Sequence, residues 1–384
     1  MTLPKTADIV IIGGGVMGAS TLYHLAARGQ KNIILLEKEE FYGQGATGRC
    51  AGGVRYQFGT EINIRLSLES LPMLERFKDE IGQDIHYRQC GYLFVLTNEQ
   101  DVAAFKHNIA LQHSLGVQTE WLTGDEVHHR LPLMRFDDAI AGTFHHKDGL
   151  VDPNSVVMGY ISAAGRLGSI IQSMIEVTGI QIQGGKVQSV VTNHGEIATP
   201  VVINAAGPWA GLIGKMVGIE IPITPLRRQM LTTSPLSEIP IDFPFVIDFG
   251  QSLYFHREGE GILTGMSNPN EKTGFDQNVD ESFEIINMEA AIARLPIMEN
   301  AGMVSHWAGL YEVTPDAHPI IGRTPIEGFY LVTGFSGHGF MHGPISGKLM
   351  SEIILDGKAT TLDISFLDLN RFEENRLIYE YNVV

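Results

Sequence analysis

Residues Ile9 to Gly18, IVIIGGGVMG, end a run of apolar β-formers in a G-x-G-x-x-G turn (Gly13, Gly15, Gly18) and open a helix. Each residue type answers a physical requirement. Gly13 permits a tight turn, Gly15 lets the backbone approach a pyrophosphate, and Gly18 lets helix pack on strand. The helix N-terminus then offers free N–H groups and a partial positive charge to an anion. A second apolar strand, Asn32 to Leu36, closes at Glu37, placed to accept hydrogen bonds from a ribose diol. Glycine turns alone are common. Strand, turn, helix, strand and terminal acid in that order, within about thirty residues, point to a bound dinucleotide.

Composition narrows the rest. A chain of 384 residues is long for one core, so two domains are expected. The net charge of -17 argues against nucleic-acid or anionic-membrane partners. Two cysteines, Cys50 and Cys90, cannot form a framework of bridges, which fits a reducing cytoplasm. The apolar stretch from Val201 to Ile223 is broken by Asn204, Pro208 and Lys215, so it reads as buried strand plus helix rather than a membrane span. The opening apolar run is a short strand entering a glycine turn, not a signal peptide. No C-x-x-C or H-E-x-x-H spacing occurs, so no metal site is expected.

Along the chain, the irregular glycine-rich stretch Gly43 to Gly53 reads as a functional loop. Helical patterning spans Glu61 to Ile81, Asn98 to Leu115, Thr123 to Leu131, Asn154 to Leu167 and Glu281 to Arg294; Tyr87 to Leu96 reads as a strand pair. VVINAAGPWAG (Val201 to Gly211) repeats the opening logic of a strand running into small residues at a helix start. Thr224 to Asn270 is β-patterned, and the chain returns to strand, glycine turn and a helix from about Gly339 to Leu355. The layout predicts an α/β fold in which a Rossmann-like nucleotide domain (1–81, 147–220 and 304–384) is interleaved with a β-rich α+β substrate domain (82–146 and 221–303).

Four separated motifs, G-x-G-x-x-G with its late Glu37, NAAGPWA, AGLYEVTPDAHPIIG and GFSGHGFM, resemble the D-amino-acid oxidase superfamily of flavoproteins. The resemblance covers nearly the whole length and is closest to the sarcosine oxidase and dimethylglycine dehydrogenase branch. TGRCAGGVRYQF and GHGFM are most similar to β subunits of dye-linked L-proline dehydrogenase and heterotetrameric sarcosine oxidase. It implies a glutathione-reductase-like FAD domain and FAD rather than NAD. By the same resemblance Gly13, Gly15, Val16, Met17, Gly18, Glu37 and Lys38 hold the ADP half. The loop Thr47, Gly48, Arg49, Cys50, Ala51, Gly52 and Gly53 passes the flavin ring, with Gly309 near it. Val177 lies near the adenine, and Ala206 and Gly207, beside Ala205 and Trp209, line the pyrophosphate. Gly322, Gly334, Gly337, His338, Gly339, Phe340 and Met341 surround the ribityl chain and the pyrimidine end. A helix starting near Gly339 aims its positive end at the ring edge that becomes negative on reduction, an effect of about 0.3–1 kcal/mol when exposed and ~2 when partly buried.

The implied chemistry is hydride transfer from the carbon next to a substrate nitrogen, leaving an imine that water hydrolyses. Catalysis of this kind is mainly positioning. Arg55 is the first candidate clamp for a substrate carboxylate, because guanidinium and carboxylate match as a fork; a surface ion pair is the competing reading. Tyr254 and His256 share one face of the strand LYFHRE, and Tyr254 is either a pocket residue or a core tyrosine with its hydroxyl satisfied. His338 is catalytic or structural; Glu312 and Arg323 flank the PDAHPIIG turn. Monomeric sarcosine oxidases carry a flavin-linking cysteine where Gly309 stands, and dimethylglycine dehydrogenases a linking histidine near Cys50, so FAD is expected to be non-covalent. The lysines that promote reaction with oxygen are missing near Tyr254 and at Met341, which favours a dehydrogenase. The expected substrate is a small secondary or tertiary amino acid (sarcosine, dimethylglycine or L-proline in type), with an electron acceptor or partner subunits beyond it. Alternatives are glycine or D-amino-acid oxidase chemistry, a β subunit inactive alone, and a simple NAD dehydrogenase. Tyr311 and Glu312 stand where D-amino-acid oxidases place an arginine.

Overall fold

The computed structural model describes residues 3–383, so residues 1, 2 and 384 of the expected nucleotide domain lie outside it. Two large sheets organise the chain. The first has six strands in the order Ile320–Arg323, Phe329–Thr333, Val202–Asn204, Ile9–Ile12, Ile33–Leu36 and Ile170–Gln172, parallel except for the antiparallel edge pair. IVII and IILL are buried along their whole length because both faces are covered. Ile9, Ile11, Ile33 and Leu35 pack with Leu22, Leu25, Ile345 and Leu349 from the helices Val16–Ala27 and Gly339–Leu355. Val10, Ile12, Ile34 and Leu36 face the opposite way, onto Val187, Val190 and Ile197 of a three-stranded antiparallel sheet.

The second sheet has eight strands, ordered Met303–Val313, Thr224–Thr233, Gly261–Met266, Leu253–Glu258, Phe245–Asp248, Tyr92–Leu96, Ala141–His145 and Glu120–Thr123. Its one parallel pair joins Phe245–Asp248 to Tyr92–Leu96. Met303–Val313 pairs with Thr224–Thr233 over its whole length, so the change of sheet falls after Val313 rather than at the expected residue 304.

The expected helices form within a residue or two, and their caps explain why. Asn98 accepts from the Asp101 N–H, Thr123 and Glu126 form a capping box, Asp152 precedes Pro153 at a helix start, and Asp280 caps Glu281–Arg294. Two expectations need correction. Tyr87 to Leu96 is not a strand pair: Arg88 makes an isolated bridge to Leu150, Gly91 turns the chain at φ 83°, and only Tyr92–Leu96 is a strand. The helix from Glu61 to Ile81 breaks at Arg76, whose φ of -94° and ψ of 6° depart from helical values, into Glu61–Glu75 and Phe77–Ile81. Among the described residues no helix is long and apolar enough to cross a membrane, and no group of three or more metal-ligating side chains converges.

Several histidines are buried in this frame. Burial holds the imidazoles of His24 and His256 down at about 4 and that of His342 at about 3, with the cations Lys348, Arg88 and Arg55 respectively adding to the effect. The unfolded chain takes up these protons below about pH 6.5, whereas the folded chain does not until the lower values. Stability is therefore expected to fall as pH drops below about 6.5, by up to roughly 1.4 kcal/mol per pH unit for each such histidine. Melting temperatures at pH 7 and pH 5 test this; a flat profile between them contradicts it.

Candidate active site

The carboxyl ends of the parallel strands open into a cleft, the usual place for a ligand in a doubly wound sheet. Gly13 has φ +110°, and a Cβ there would lie 2.4 Å from the Ala205 carbonyl oxygen. A Cβ on Gly18 would lie 1.9 Å from the Gly13 oxygen, so the helix sits directly on the turn. The helix Val16–Ala27 has no acid in its first turn and no side-chain cap. Its Val16 N–H donates to Thr47 Oγ1 at 3.2 Å, which draws the loop over the helix end. Glu37 Oε2 accepts from the Gly14 N–H at 2.6 Å and Oε1 from the Glu39 N–H at 2.9 Å. Burial raises its pKa while these two bonds oppose the rise. Each carboxylate oxygen keeps acceptor capacity for a diol. Lys38 Nζ lies 3.7 Å from the centroid of the Trp209 ring, and both residues line the cleft with Val177. A helix end without a side-chain N-cap of its own, close backbone approach and a half-buried acid at the end of the neighbouring strand together suit a dinucleotide.

A second cavity lies between the sheets and shares Ala46, Cys50, Leu310, Tyr311, Gly337 and Phe340 with the cleft, so the two are continuous. The helix Gly339–Leu355 begins at this junction, again with no acid in its first turn and no side-chain cap. The dipole end expected from sequence therefore stands where the two cavities meet.

Arg55 lines the second cavity, is buried, and donates to the carbonyl oxygens of Gln57 and Asn382. Its guanidinium lies 3.9 Å from the Phe58 ring centroid. Among the described residues it makes no ion pair, so the surface-pair reading fails. Burial lowers its pKa, while Tyr92, Glu380 and Asp148 oppose that from a distance. A guanidinium stays charged nonetheless, and a buried one with only neutral partners is poised to receive an anion. Tyr254 reaches the cavity across Gly265, where a Cβ would meet its hydroxyl at 2.2 Å, and burial pushes the phenol pKa up. Tyr92 stacks on Phe245 at 4.1 Å, and Met230 and Ile247 complete an apolar wall. His338 also lines the cavity. Among the described residues neither ring nitrogen has a hydrogen-bond partner, and burial, then His342, His318 and Arg55, hold it well below the usual imidazole range, which favours the neutral ring.

Five expected residues lie apart from the cavity walls. Gly18 packs on the Gly13 turn, Gly48 on the Gly43 carbonyl and Gly334 on the Thr314 side chain. Gly322 lies in the antiparallel edge pair opposite Leu331. His256 shares the strand face of Tyr254 but rests against the Phe245 ring, 5.2 Å between centroids, with the wall in front of it. Of the flanking pair, Glu312 lines the cleft and accepts from Thr333 Oγ1 at 2.7 Å, whereas Arg323 is engaged with the Gly357 carbonyl outside both cavities. Gly309 is a wall residue whose Cβ would approach the Arg49 Cβ to 2.9 Å. Arg49 itself donates to the Gln44 and Ala308 carbonyls and ties the loop to the strand.

Sequence reasoning missed Tyr92, Phe245, Met230 and, above all, Arg228. Arg227 and Arg228 are adjacent in TPLRRQ, and only the period-two alternation with Met230 marks Arg228 as inward-facing. Arg227 turns outward to Glu271 and Asp276.

Comparison with known proteins agrees with this geometry. Residues 8–353 match the family described as DAO, FAD dependent oxidoreductase. Human mitochondrial sarcosine dehydrogenase is 31% identical over 97% of this chain and 42% of its own length, and mouse mitochondrial dimethylglycine dehydrogenase 30% over 95% and 44%. The chain thus spans less than half the length of these relatives. The crystal structure of L-proline dehydrogenase from P. horikoshii superposes with a TM-score of 0.91 at 35% identity, covering 98% of this chain and all of that one (100%).

Proposed function

The chain belongs to the DAO family of FAD-dependent oxidoreductases, and we propose that it oxidises the C–N bond of a small secondary or tertiary amino acid of the sarcosine, dimethylglycine or L-proline type. The observation that carries this reading is Arg55, a buried cation without an ion pair, set in an apolar wall that joins the dinucleotide cleft. The relatives are named for three amino acids that share a substituted nitrogen and one carboxylate. FAD, when bound, supplies the acceptor for the hydride that leaves the carbon next to nitrogen. Arg55 holds the carboxylate as a fork. Tyr92, Phe245, Met230 and Ile247 exclude water and favour the neutral amine. Neutral His338 offers an unpartnered ring nitrogen in the same space, and the imine product is hydrolysed by water. A cytoplasmic setting fits the two free thiols. Interleaved FAD and substrate domains, as read from sequence, fit the two sheets once their boundary is moved to Val313.

Anaerobic bleaching of the flavin by sarcosine, dimethylglycine or L-proline is the expected result. Bleaching by glycine or D-alanine alone would overturn the reading in favour of the oxidase alternative. The chain's 42% share of human sarcosine dehydrogenase favours a second reading, in which further domains or subunits complete the enzyme. Bleaching that begins only when partner subunits are added would establish it.

FAD is held without a covalent bond on this reading. A cysteine at Gly309 would collide with Arg49, and burial pushes the Cys50 thiol up to about 11, so no thiolate is at hand. Acid precipitation should therefore release the yellow colour into the supernatant; a yellow pellet refutes it.

A further inference from the structure

Building on the amine-oxidising reading above, we propose that the substrate carries a second carboxylate, received by Arg228, and belongs to the N-(carboxyalkyl) amino acids. Three guanidiniums, Arg49, Arg55 and Arg228, line the second cavity, and no aspartate or glutamate does. This is not for want of acids, since the chain has 44 acidic and 27 basic residues. The neighbouring Arg227 shows how the fold neutralises an arginine when no ligand is involved: Glu271 at 3.0 Å, Asp276 at 3.1 Å and Asp280 at 3.8 Å surround it.

Among the described residues Arg228 has none of this. Its Nη1 donates to the Arg227 carbonyl at 3.1 Å, its Nε is buried without a partner, and its guanidinium lies 5.1 Å from the Tyr311 ring centroid. A buried donor left unmade is costly, and more so on a charged group. Arg49 is only half-buried and is engaged as a strut between Gln44 and Ala308; Arg55 also donates to two carbonyls but is buried, so Arg55 and Arg228 are the two cations that a ligand anion would relieve. They stand on different elements, Arg55 after the strand Gly53–Val54 and Arg228 within Thr224–Thr233. Tyr311 lies within electrostatic reach of both: burial raises its phenol pKa while Arg228 and Arg55 each oppose the rise. One carboxylate on Arg55 leaves Arg228 unanswered. A second carboxylate, at the end of a short methylene arm on the nitrogen, answers it, and Met230, Ile247 and Tyr254 suit the arm.

The test compares ligands that differ by exchange of a carboxylate for a methyl group. Glutarate and pentanoate are titrated into the FAD-loaded protein and followed by perturbation of the flavin spectrum. Glutarate is expected to bind at least about tenfold more tightly, the value of one charge-assisted contact. Arg228→Met should abolish that preference while leaving pentanoate within about threefold of its original affinity, and Arg228→Lys should keep part of it. The same tenfold preference is expected in kcat/KM for N-(2-carboxyethyl)glycine over N-propylglycine. Equal affinity for both acids in the natural protein, or a preference that survives in Arg228→Met, overturns the proposal. Bleaching by N-propylglycine without any dicarboxylate preference would refute it and leave amine oxidation standing. Arg228-dependent glutarate preference with no bleaching by any amine would support the two-anion site and defeat the amine-oxidising reading instead.

Discussion

Gly18→Ala is expected to give a protein that purifies nearly colourless and binds FAD at least about a hundredfold more weakly, a loss near 2.7 kcal/mol. The added Cβ would lie 1.9 Å from the Gly13 carbonyl oxygen and 3.4 Å from Ile11 Cγ2. Neither contact can rotate away. Gly13 is held at φ +110°, its own N–H donates to the Leu36 carbonyl at 2.9 Å, and Ile11 is in the middle of the sheet. Helix and turn must therefore part, and the N–H groups that face the pyrophosphate lose their common aim. Backbone strain of this kind costs roughly 1–3 kcal/mol, here spent within the site itself. The melting temperature falls as well, because a ligand that binds only the folded state no longer adds its share of stability. Flavin absorbance after purification, and a dissociation constant from titrating FAD into the stripped protein, measure the effect. A variant as yellow as the parent would show that the turn does not touch the cofactor.

Arg55→Met should raise KM for the amine substrate roughly a hundredfold while kcat changes by less than about fivefold, because a carboxylate held equally in ground and transition states contributes to binding alone. The expected effect on folding is small, because two terms of opposite sign meet here. Arg55 is a buried cation whose partners are two backbone carbonyls and the Phe58 ring. Removing the charge lifts a desolvation cost, whereas the Gln57 and Asn382 carbonyls each lose a donor. The melting temperature without substrate should therefore stay close to the parent's, and the stabilisation that a bound carboxylate confers on the parent should vanish. A large fall in melting temperature with KM unchanged would make Arg55 a tether for the segment around Asn382 and remove it from substrate binding. Arg55→Lys keeps the charge but not the fork, so an intermediate KM is expected.

Much of the cofactor site is legible in local sequence because its requirements are local. Gly13, Gly15 and Glu37 follow from one βαβ unit, and the start of the helix at Gly339 from a glycine turn after a strand. The substrate wall is different. Tyr92, Phe245, Arg228 and Tyr254 come from four strands of one sheet, far apart in the chain, and no spacing rule links them. His256 shows the limit of periodicity. It shares a strand face with Tyr254, yet the Phe245 ring lies against it and it does not reach the cavity.

Sequence by itself determined that this chain has a glycine turn able to take a pyrophosphate, a strand-ending acid for a ribose, and helices whose caps are written beside them. Those features depend on φ angles, capping oxygens and side-chain period, all set within a few residues. Only the tertiary structure decided which arginines are neutralised by acids and which are not. That depends on which acids the folded chain brings near: Glu271 and Asp276 reach Arg227, whereas no described acid pairs with Arg228 or Arg55. Charge compensation acts through space between residues distant in sequence, so it exists only once the sheets have closed around the cavity.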